Sequence, residues 1–333
     1  MEEWALTKAL VTGGLGFIGF HLAKHLAEKG DKVTICDNQF RGKLDDEARA
    51  FLKKTGSEYI SMDMAEAEQF KKLGKDYDRI YHLAAINGTK YFYEIPETVL
   101  RVNILSVINL LDWVKNTKCK DLLFSSSSEA YSGTIQKFGW EIPTKEDVPL
   151  CIDDVNNPRY SYGGSKIAGE LLFLNYGKKY SLNVRIVRFH NIYGERMGYE
   201  HVIPEFCRRI LDKTDPFPVF GGKETRSFIY VGDGVRASRL IMESEKTKGE
   251  IINIGSEKNE LSIEELAKKL FTIAKVAPKI DVKEAPKGSV ARRCPSIKKL
   301  IRLTGYSEQV SLDEGLKRTY EWYKKDYVNQ KRM

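Results

Sequence analysis

Residues 8–38, KALVTGGLGFIGFHLAKHLAEKGDKVTICDN, predict a strand, a glycine-rich turn, a helix and a second strand that ends at an aspartate. The glycines of the turn, Gly13, Gly16 and Gly19, follow a G-x-x-G-x-x-G spacing. Such a turn needs glycine torsions and lets the backbone approach a pyrophosphate closely. The following helix offers free N–H groups and a positive dipole end to the phosphates. The stretch therefore predicts a βαβ unit that binds a dinucleotide.

Asp37 ends the second predicted strand, where a carboxylate can accept hydrogen bonds from both ribose hydroxyls of an adenosine. The same charge repels a 2′-phosphate, so the sequence favours NAD over NADP, although Arg41 nearby keeps NADP as an alternative. A further alternative is a tight turn in a sheet protein that binds no nucleotide. The agreement of strand, turn, helix, second strand and acidic residue favours the NAD site.

The rest of the first half alternates short apolar runs with amphipathic helical stretches, which is typical of a parallel sheet covered on both faces. This pattern predicts an α/β fold, a Rossmann-type doubly wound parallel sheet whose ligands lie at the carboxyl ends of the strands. The expected strands are 8–12, 32–36, 79–83, 121–126 and 183–188, and the expected helices include 17–28, 98–115 and 161–179.

The rhythm changes beyond Asn191, where HVIPEF, DPFPVFGG and a loop-rich tail with short helices such as 262–271 follow. We expect residues 1–190 to form the NAD-binding domain, with residues 225–255 returning to it. Residues 191–333 are expected to form a smaller C-terminal lobe that binds the substrate and closes over the edge of the sheet.

The composition is that of an ordinary globular protein, with 42% hydrophobic and 30% charged residues among 333. The formal net charge is +8, but basic and acidic residues are interleaved along the chain, which argues against a nucleic-acid partner. An acidic N-terminus and the lack of any apolar run of about 18 residues favour a cytoplasmic protein without a membrane partner. The five cysteines are too far apart to predict disulfides or a metal site: Cys36, Cys119, Cys151, Cys207 and Cys294.

Tyr162 and Lys166, in RYSYGGSKIAGE, have a Y-x-x-x-K spacing on a predicted helix. Four residues are about one helical turn, so both side chains project from one face. A lysine ammonium near a phenol favours the phenolate and lowers the pKa of the tyrosine, which can then act as an acid or base. The alternative is an exposed helix face without a chemical role.

Four serines and a carboxylate, SSSSE at 125–129, follow the apolar run LLF. A tyrosine that removes the proton of a sugar hydroxyl, while hydride leaves the same carbon for NAD, needs a second small polar group to hold that hydroxyl. A serine at a strand end beside the cofactor supplies such a group. The other serines of the run are expected to satisfy a turn.

Several segments together resemble the extended short-chain dehydrogenase/reductases, specifically the nucleotide-sugar epimerases, dehydratases and decarboxylases. The matching segments are TGGLGFIG, YHLAA at 81–85, VNI at 102–104, FSSSSEAY, YGGSK, RFHNIYG at 188–194, HVIPEF and RSFIYVGDG at 226–234. Their order along the chain is that of the family. The resemblance implies an NAD-dependent enzyme that acts on a nucleotide-diphospho-sugar by transient oxidation at C4.

The resemblance also implies roles for individual residues. It makes Ser127 and Tyr162 the catalytic pair with Lys166 as partner, and it leaves Glu129 with either a catalytic or a structural role. The residues that the resemblance places at the cofactor are Gly13, Gly16, Phe17, Ile18, Gly19, Asp37, Asn38, Asp63, Met64, Leu83, Ala84, Ala85, Asn103, Tyr162, Lys166 and Phe189. Those that it places at the substrate are Asn87, Ser127, Ser128, Asn191, His201, Val202, Arg226 and Arg293.

Differences from the family pattern bear on the reaction. Ser128 stands where 4,6-dehydratases carry an aspartate, which argues against dehydration. SSE, GERMG at 194–198 and RRCPSI at 292–297 are similar to the UDP-glucuronate decarboxylases, whereas FSSS and YGGSKIAGE look like 4-epimerases. Asn87 replaces a lysine of several epimerases, and Ser296 replaces a common aspartate. We favour 4-epimerisation. A C4 dehydrogenase, a decarboxylase, a 4,6-dehydratase and an NAD-binding regulator are the alternatives.

Similar proteins dimerise through two helices that form a four-helix bundle. The predicted helices 98–115 and 161–179 match those two helices. A homodimer is therefore an expectation from the resemblance.

Overall fold

A sheet of seven parallel strands forms the centre of the computed structural model, which describes residues 7–285 and 290–330. The strands of the chain are β1 (Lys8–Thr12), β2 (Lys32–Asp37), β3 (Glu58–Ser61), β4 (Arg79–His82), β5 (Asp121–Ser127), β6 (Asn183–Phe189), β7 (Ile192–Tyr193), β8 (Phe217–Phe220), β9 (Thr225–Ser227), β10 (Ile229–Tyr230), β11 (Ile251–Ile254), β12 (Glu260–Ser262), β13 (Ile280–Lys283) and β14 (Arg292–Arg293). The order in the central sheet is β11-β6-β5-β4-β1-β2-β3, so β2 and β3 are added on one side of β1 and the later strands on the other, and the strand order reverses between β1 and β4.

Helices cover both faces of this sheet. The α-helices of the described residues are α1 (Phe17–Glu28), α2 (Asp46–Thr55), α3 (Thr89–Glu94), α4 (Pro96–Val114), α5 (Ser132–Phe138), α6 (Tyr160–Tyr180), α7 (Val202–Leu211), α8 (Val231–Glu243), α9 (Ile263–Ala274), α10 (Lys298–Thr304) and α11 (Leu312–Gln330), of which α7, α9 and α11 pack away from the central sheet. Within the ranges described above, no helix combines the length and the apolar character needed to cross a membrane.

Alternating side chains of β1 show why the strands are apolar throughout. Ala9 and Val11 pack in one core cluster with α1 and α8, whereas Leu10 packs in a second cluster with α4 and α6. Both faces of a parallel sheet are buried, so a polar side chain on either face would need a partner. The Rossmann-type architecture predicted from the sequence is confirmed.

Helix boundaries follow local capping chemistry. The bounds of α1 are those predicted, while α4 begins two residues before the predicted start, at Pro96, since proline is well suited to the first turn of a helix. The predicted helix 262–271 begins at Ile263 because Ser262 is its N-cap, and the Ser262 hydroxyl accepts from the Glu265 N–H at 3.1 Å. The sequence analysis did not identify α2 or the edge strand β3, which has no fully buried side chain.

Side chains from the C-terminal part of the chain form a third apolar cluster, which we call the C-terminal lobe. Side chains of α7, α9 and α11 pack around β8, which pairs with β13. Strand β9 pairs with β12 and β14 in the lobe, whereas α8 and β11 pack with the central sheet.

Candidate active site

A cavity of about 1070 Å³ lies at the carboxyl ends of β1, β2, β4, β5 and β6. It includes the point where the strand order reverses, which is the usual ligand site of a doubly wound sheet. Residues of α7 and α11 also line it, so the lobe and the sheet both contribute to it.

The glycine turn packs so closely against neighbouring backbone that side chains do not fit at two of its positions. Gly13 has φ +67°, and a Cβ there would lie 2.8 Å from the backbone nitrogen of Ala84. At Gly19, a Cβ would lie 2.1 Å from the carbonyl oxygen of Gly13. Gly16 is the N-cap of α1 and has no side chain to accept from the first N–H groups of the helix, and Gly16, Phe17 and Ile18 line the cavity. These free donors and the helix dipole suit a pyrophosphate.

Asp37 ends β2 and contacts this turn. Its carboxylate accepts from the Leu15 N–H at 3.1 Å and from the Gln39 N–H at 2.7 Å. Burial raises the pKa of Asp37, and these backbone hydrogen bonds oppose the rise. Beside it, Asn38 donates to Asp63 at 3.0 Å, and both residues line the cavity.

The loop after β4 is held by buried polar side chains that the sequence analysis did not identify. The Thr12 hydroxyl accepts from the N–H groups of Leu83 and Ala84 at 3.2 and 3.1 Å. It also forms a hydrogen bond with Nδ1 of buried His82 at 2.8 Å. Because the two backbone donors occupy the hydroxyl oxygen, its hydrogen points to the imidazole.

Asn103, which the resemblance places at the cofactor, lies behind the cavity loop instead. Its side chain accepts from the Ile86 N–H at 2.7 Å and donates to the Ile86 carbonyl at 3.1 Å and to Ser165 at 3.2 Å. Asn103 is buried, and it is not among the described residues that line the cavity. Asn103 therefore fixes the cavity loop to α6 from behind, because its amide donors and acceptor are already used there.

Tyr162, Lys166 and Ser127 meet in the cavity. The Tyr162 hydroxyl hydrogen-bonds the Ser127 side chain. The Lys166 ammonium lies 5.4 Å from the centroid of the Tyr162 ring and donates to the Ser125 carbonyl at 2.7 Å. On its other side the tyrosine ring stacks on Phe92 of α3 at 4.9 Å, a contact the sequence analysis did not predict. The two flanking groups hold the phenol in one orientation.

The pKa of Tyr162 is shifted in the opposite direction to the prediction. Burial raises it above its ordinary value, and the Ser127 hydrogen bond opposes the rise only in part. For Lys166, burial acts in the other direction and lowers the pKa to about 7. Both effects have one cause, since a water-excluded site disfavours either charge. Deprotonation of Tyr162 thus needs more positive charge than Lys166 supplies.

Glu129 is the centre of an arginine cluster on the cavity wall. Arg159 donates to both of its oxygens at 2.9 and 2.8 Å, and Arg293 lies 2.8 Å from one of them. Burial alone raises the pKa of Glu129, but the charges of Arg293 and Arg159 outweigh it and hold the pKa at about 2. Arg159 was not predicted, although it is only three residues before Tyr162.

The remaining expected substrate residues are divided between the cavity and its surroundings. Arg226 is adjacent to Arg293 in the pairing of β9 with β14, pairs with Glu224 at 3.0 Å and does not line the cavity among the described residues. Burial first, and then the charge of Arg293, lower the pKa of Arg226 to about 10. The residues that do line the cavity are Asn87, Ser128, Asn191, His201, Val202 and Arg293.

The donor set fits a dinucleotide. Gly13, Gly16 and Gly19 line the cavity without side chains, the start of α1 offers free N–H groups, and Asp37 offers a carboxylate nearby. Every expected cofactor residue except Asn103 lines the cavity, which gives an NAD molecule a continuous path from Asp37 to Tyr162. Within residues 7–285 and 290–330, no cluster of three or more His, Cys, Asp and Glu side chains could hold a metal ion.

Comparisons with known proteins agree with this geometry. A relative from Bacillus cytotoxicus, a UDP-N-acetyl-alpha-D-glucosaminuronate decarboxylase, is 36% identical over 95% of this chain and 98% of its own. A putative UDP-glucose 4-epimerase of Methanocaldococcus jannaschii is 31% identical over 95% of this chain and 98% of its own. The solved UDP-glucose 4-epimerase of Thermotoga maritima, in complex with UDP-glucose, is 28% identical with a TM-score of 0.85 and covers 96% of this chain and 100% of its own.

The family match covers the sheet and the cavity together. Residues 9–255 match the NAD dependent epimerase/dehydratase family, and this range contains the glycine turn, Ser127, Tyr162 and Lys166. The chain belongs to the NAD dependent epimerase/dehydratase family and is an enzyme whose cofactor is NAD.

Proposed function

We propose that this enzyme oxidises C4 of a UDP-linked hexuronate transiently and releases the C6 carboxylate as carbon dioxide. The observation that carries the proposal is the cluster of Glu129, Arg159 and Arg293 beside Tyr162. Two guanidinium charges against one carboxylate leave a net positive charge at the cavity wall. A sugar carboxylate is the group of a hexuronate that such a wall attracts.

The proton chemistry at C4 belongs to Tyr162 and Ser127. Gly13, Gly19 and Asp37 would hold NAD along the cavity, where it would accept a hydride from C4 and return it. The positive charge of the oxidised cofactor would add to that of Lys166 and oppose the effect of burial on the pKa of Tyr162. Tyr162 then takes the C4 hydroxyl proton, and Ser127 holds the same hydroxyl in line.

The arginine cluster positions the carboxylate for its loss. Once C4 is a ketone, the C5–C6 bond can break with its electron pair passing to C5 and the C4 oxygen, and carbon dioxide leaves. A solvent proton replaces it at C5. When the ketone is reduced, Tyr162 returns its proton to the C4 oxygen. With its pKa at about 2, Glu129 stays ionised at neutral pH, so we assign it to holding the arginines and not to proton transfer.

The second candidate is 4-epimerisation, which the sequence analysis favours. Ser127, Tyr162 and Lys166 serve it equally, since the ketone needs only to rotate and be reduced from its other face. The similarity to the Thermotoga maritima structure motivates this candidate. We place decarboxylation first because Arg159 and Arg293, held by Glu129, provide an anion site, and because the Bacillus cytotoxicus relative is a decarboxylase.

The test is to incubate the purified enzyme and NAD with UDP-glucuronate, UDP-N-acetylglucosaminuronate and UDP-glucose, and to follow the products by NMR. We expect a UDP-pentose and carbon dioxide from a uronate. A C4 epimer that keeps its carboxylate would establish 4-epimerisation instead. Net accumulation of NADH would establish a C4 dehydrogenase, and NAD binding without turnover of any sugar would support a regulator.

We also propose a homodimer formed through α4 and α6. Leu100 on α4 and Leu171 on α6 are large apolar side chains that are 40% and 58% exposed. A second copy of this face would bury them. We expect Leu171→Arg to yield monomers by light scattering, whereas Val155→Arg, at an apolar position 86% exposed outside these helices, leaves the dimer intact. A monomeric wild-type protein would contradict the proposal.

A further inference from the structure

A buried ion pair lies directly behind the reactive side chains. Glu170 is on α6, one helical turn after Lys166, and Arg188 is on β6. Arg188 donates from Nε and Nη2 to the two oxygens of Glu170 at 2.9 and 2.7 Å. The two residues are 2% and 1% exposed. The pair is thus a two-point, charge-assisted contact that fixes the carboxylate in position.

Ser126 connects this pair to the end of β5. Its hydroxyl donates to Glu170 at 2.5 Å. The neighbours of Ser126 on either side are the groups that the mechanism uses, because the Ser125 carbonyl accepts from Lys166 at 2.7 Å and Ser127 hydrogen-bonds Tyr162. Ser126 therefore holds the strand end against the helix that carries Tyr162 and Lys166.

The surrounding groups leave Glu170 as the carboxylate next to Lys166. Arg188 also donates to the Glu146 carbonyl at 2.9 Å and lies 5.2 Å from the ring centroid of Tyr131. From β4, buried His82 faces Lys166. Burial lowers the pKa of Lys166, and the charge of Glu170 opposes that effect. The Glu170 carboxylate thus has two effects: its charge favours the protonated form of Lys166, and its hydrogen bond with Ser126 fixes the end of β5.

Stability alone does not account for a charged pair at this place. The desolvation of two buried charges offsets most of their attraction, so well-packed apolar residues are often as stabilising. We propose that Glu170, held by Arg188, is a positioning residue that acts through Ser126 to align Ser127 and the Ser125 carbonyl with Tyr162 and Lys166. This inference rests on the proposed function, because its main test is the turnover of that reaction.

The tests are Glu170→Gln and Ser126→Ala, the second of which leaves the ion pair intact. A displaced catalytic hydroxyl lowers kcat steeply, so we expect kcat to fall about ten- to a hundredfold in both variants while KM stays within about twofold. In Glu170→Gln, loss of the negative charge lowers the pKa of Lys166 further. The alkaline limb of the kcat–pH profile should therefore move to lower pH.

Asp121→Asn is the matched control. Asp121 on β5 pairs with buried Arg185 on β6 at 2.8 Å, at the opposite end of the same two strands. We expect this variant to lose thermal stability with kcat unchanged. If Ser126→Ala and Glu170→Gln behave like Asp121→Asn, with lower stability and wild-type kcat and pH profile, Glu170 is merely structural and the inference is wrong.

A readout without turnover separates this inference from the proposed function. We expect the NAD dissociation constant of Glu170→Gln to rise about tenfold, and crystals of the variant to show Lys166 Nζ displaced from the Ser125 carbonyl. If the wild-type enzyme turns over no UDP-hexuronate but Glu170→Gln shows both the weaker NAD binding and the displaced Lys166, the proposed function is wrong and the positioning role stands. Unchanged NAD affinity together with an unchanged Lys166 contact overturns the positioning role.

Discussion

At the residue scale, the charges around Glu129 determine what its carboxylate can do. A buried carboxyl group by itself has a raised pKa and suits a proton donor. Two arginines reverse that effect here and hold the pKa at about 2. The same residue type in the same motif thus becomes a fixed negative charge that orients Arg159 and Arg293.

Replacing this carboxylate tests the cluster through stability. We expect Glu129→Gln to lower the free energy of unfolding at pH 7 by about 3 kcal/mol, because the group's pKa is about 2 when folded and near 4.5 when unfolded. Since the folded pKa is the lower one, the contribution is present above about pH 4.5 and is lost as the pH falls towards 2. Urea unfolding of both proteins at pH 7 and pH 3 measures it. An equal difference at both pH values would contradict the assignment.

Replacing the phenol tests the chemical step. We expect Tyr162→Phe to lower kcat by about 10²–10⁴-fold, the usual contribution of a general acid or base. The melting temperature should change little, because the ring still stacks on Phe92. Tyr160→Phe, two residues earlier on α6 and also buried, is the control that keeps kcat. Wild-type turnover by Tyr162→Phe would exclude the mechanism.

At the element scale, the turn between β1 and α1 combines tight packing with free backbone donors. Gly13, Gly14 and Gly19 have neighbours so near that a Cβ would contact the backbone or a side chain within 3.0 Å. The element therefore requires glycine for two reasons, one steric and one of access for phosphate. This turn anchors both the first core cluster and the proposed cofactor path.

Gly19→Ala tests both reasons at once. Its Cβ would meet the Gly13 carbonyl oxygen at 2.1 Å, so we expect about 1–3 kcal/mol of destabilisation and at least about tenfold weaker NAD binding. In contrast, Gly164→Ala on α6 meets Ile152 at an ordinary 3.5 Å and should be neutral or stabilising by up to about 1 kcal/mol. Melting temperatures and NAD titrations of the two variants provide the comparison. Similar effects from both would contradict a special role of the turn.

At the scale of the whole molecule, ion pairs connect the loops of the sheet to the lobe across the mouth of the cavity. Arg41, after β2, lies 3.3 Å from Glu200, just before α7. Arg196 contacts Asp45 and Glu47 at the start of α2, both at 2.9 Å. All five residues line the cavity. The two sides of the molecule thus meet over the path expected for the cofactor.

Breaking one of these connections should affect release of the cofactor. Because partly exposed ion pairs contribute about 0.2–1 kcal/mol, we expect Arg41→Ala to speed NAD dissociation about two- to fivefold. Stopped-flow displacement of bound NAD measures the rate. Lys268→Ala, which breaks an exposed pair with Glu264 on α9, is the control and should leave the rate unchanged. An unaltered rate in Arg41→Ala would show that this pair does not restrain the cofactor.

The sequence by itself determined the features whose physics is local. The bounds of α1, the glycine turn and the Tyr162–Lys166 spacing follow from hydrophobic periodicity, glycine torsions and helical geometry, all of which act within a few residues. Placement of Ser127 and Asp37 at the same cavity follows from the rule that parallel strands present their carboxyl ends together.

Only the tertiary structure decided which charges and amides meet. The Asn103 side chain hydrogen-bonds the Ile86 backbone, and Arg226 lies outside the cavity. Glu129 is held by Arg159 and Arg293. The raised pKa of Tyr162 likewise depends on burial by elements far apart in the chain. Such pairings depend on side chains that the fold brings together from distant segments. Spacing along the chain carries no information about them, because desolvation and Coulomb energies depend on distances in space.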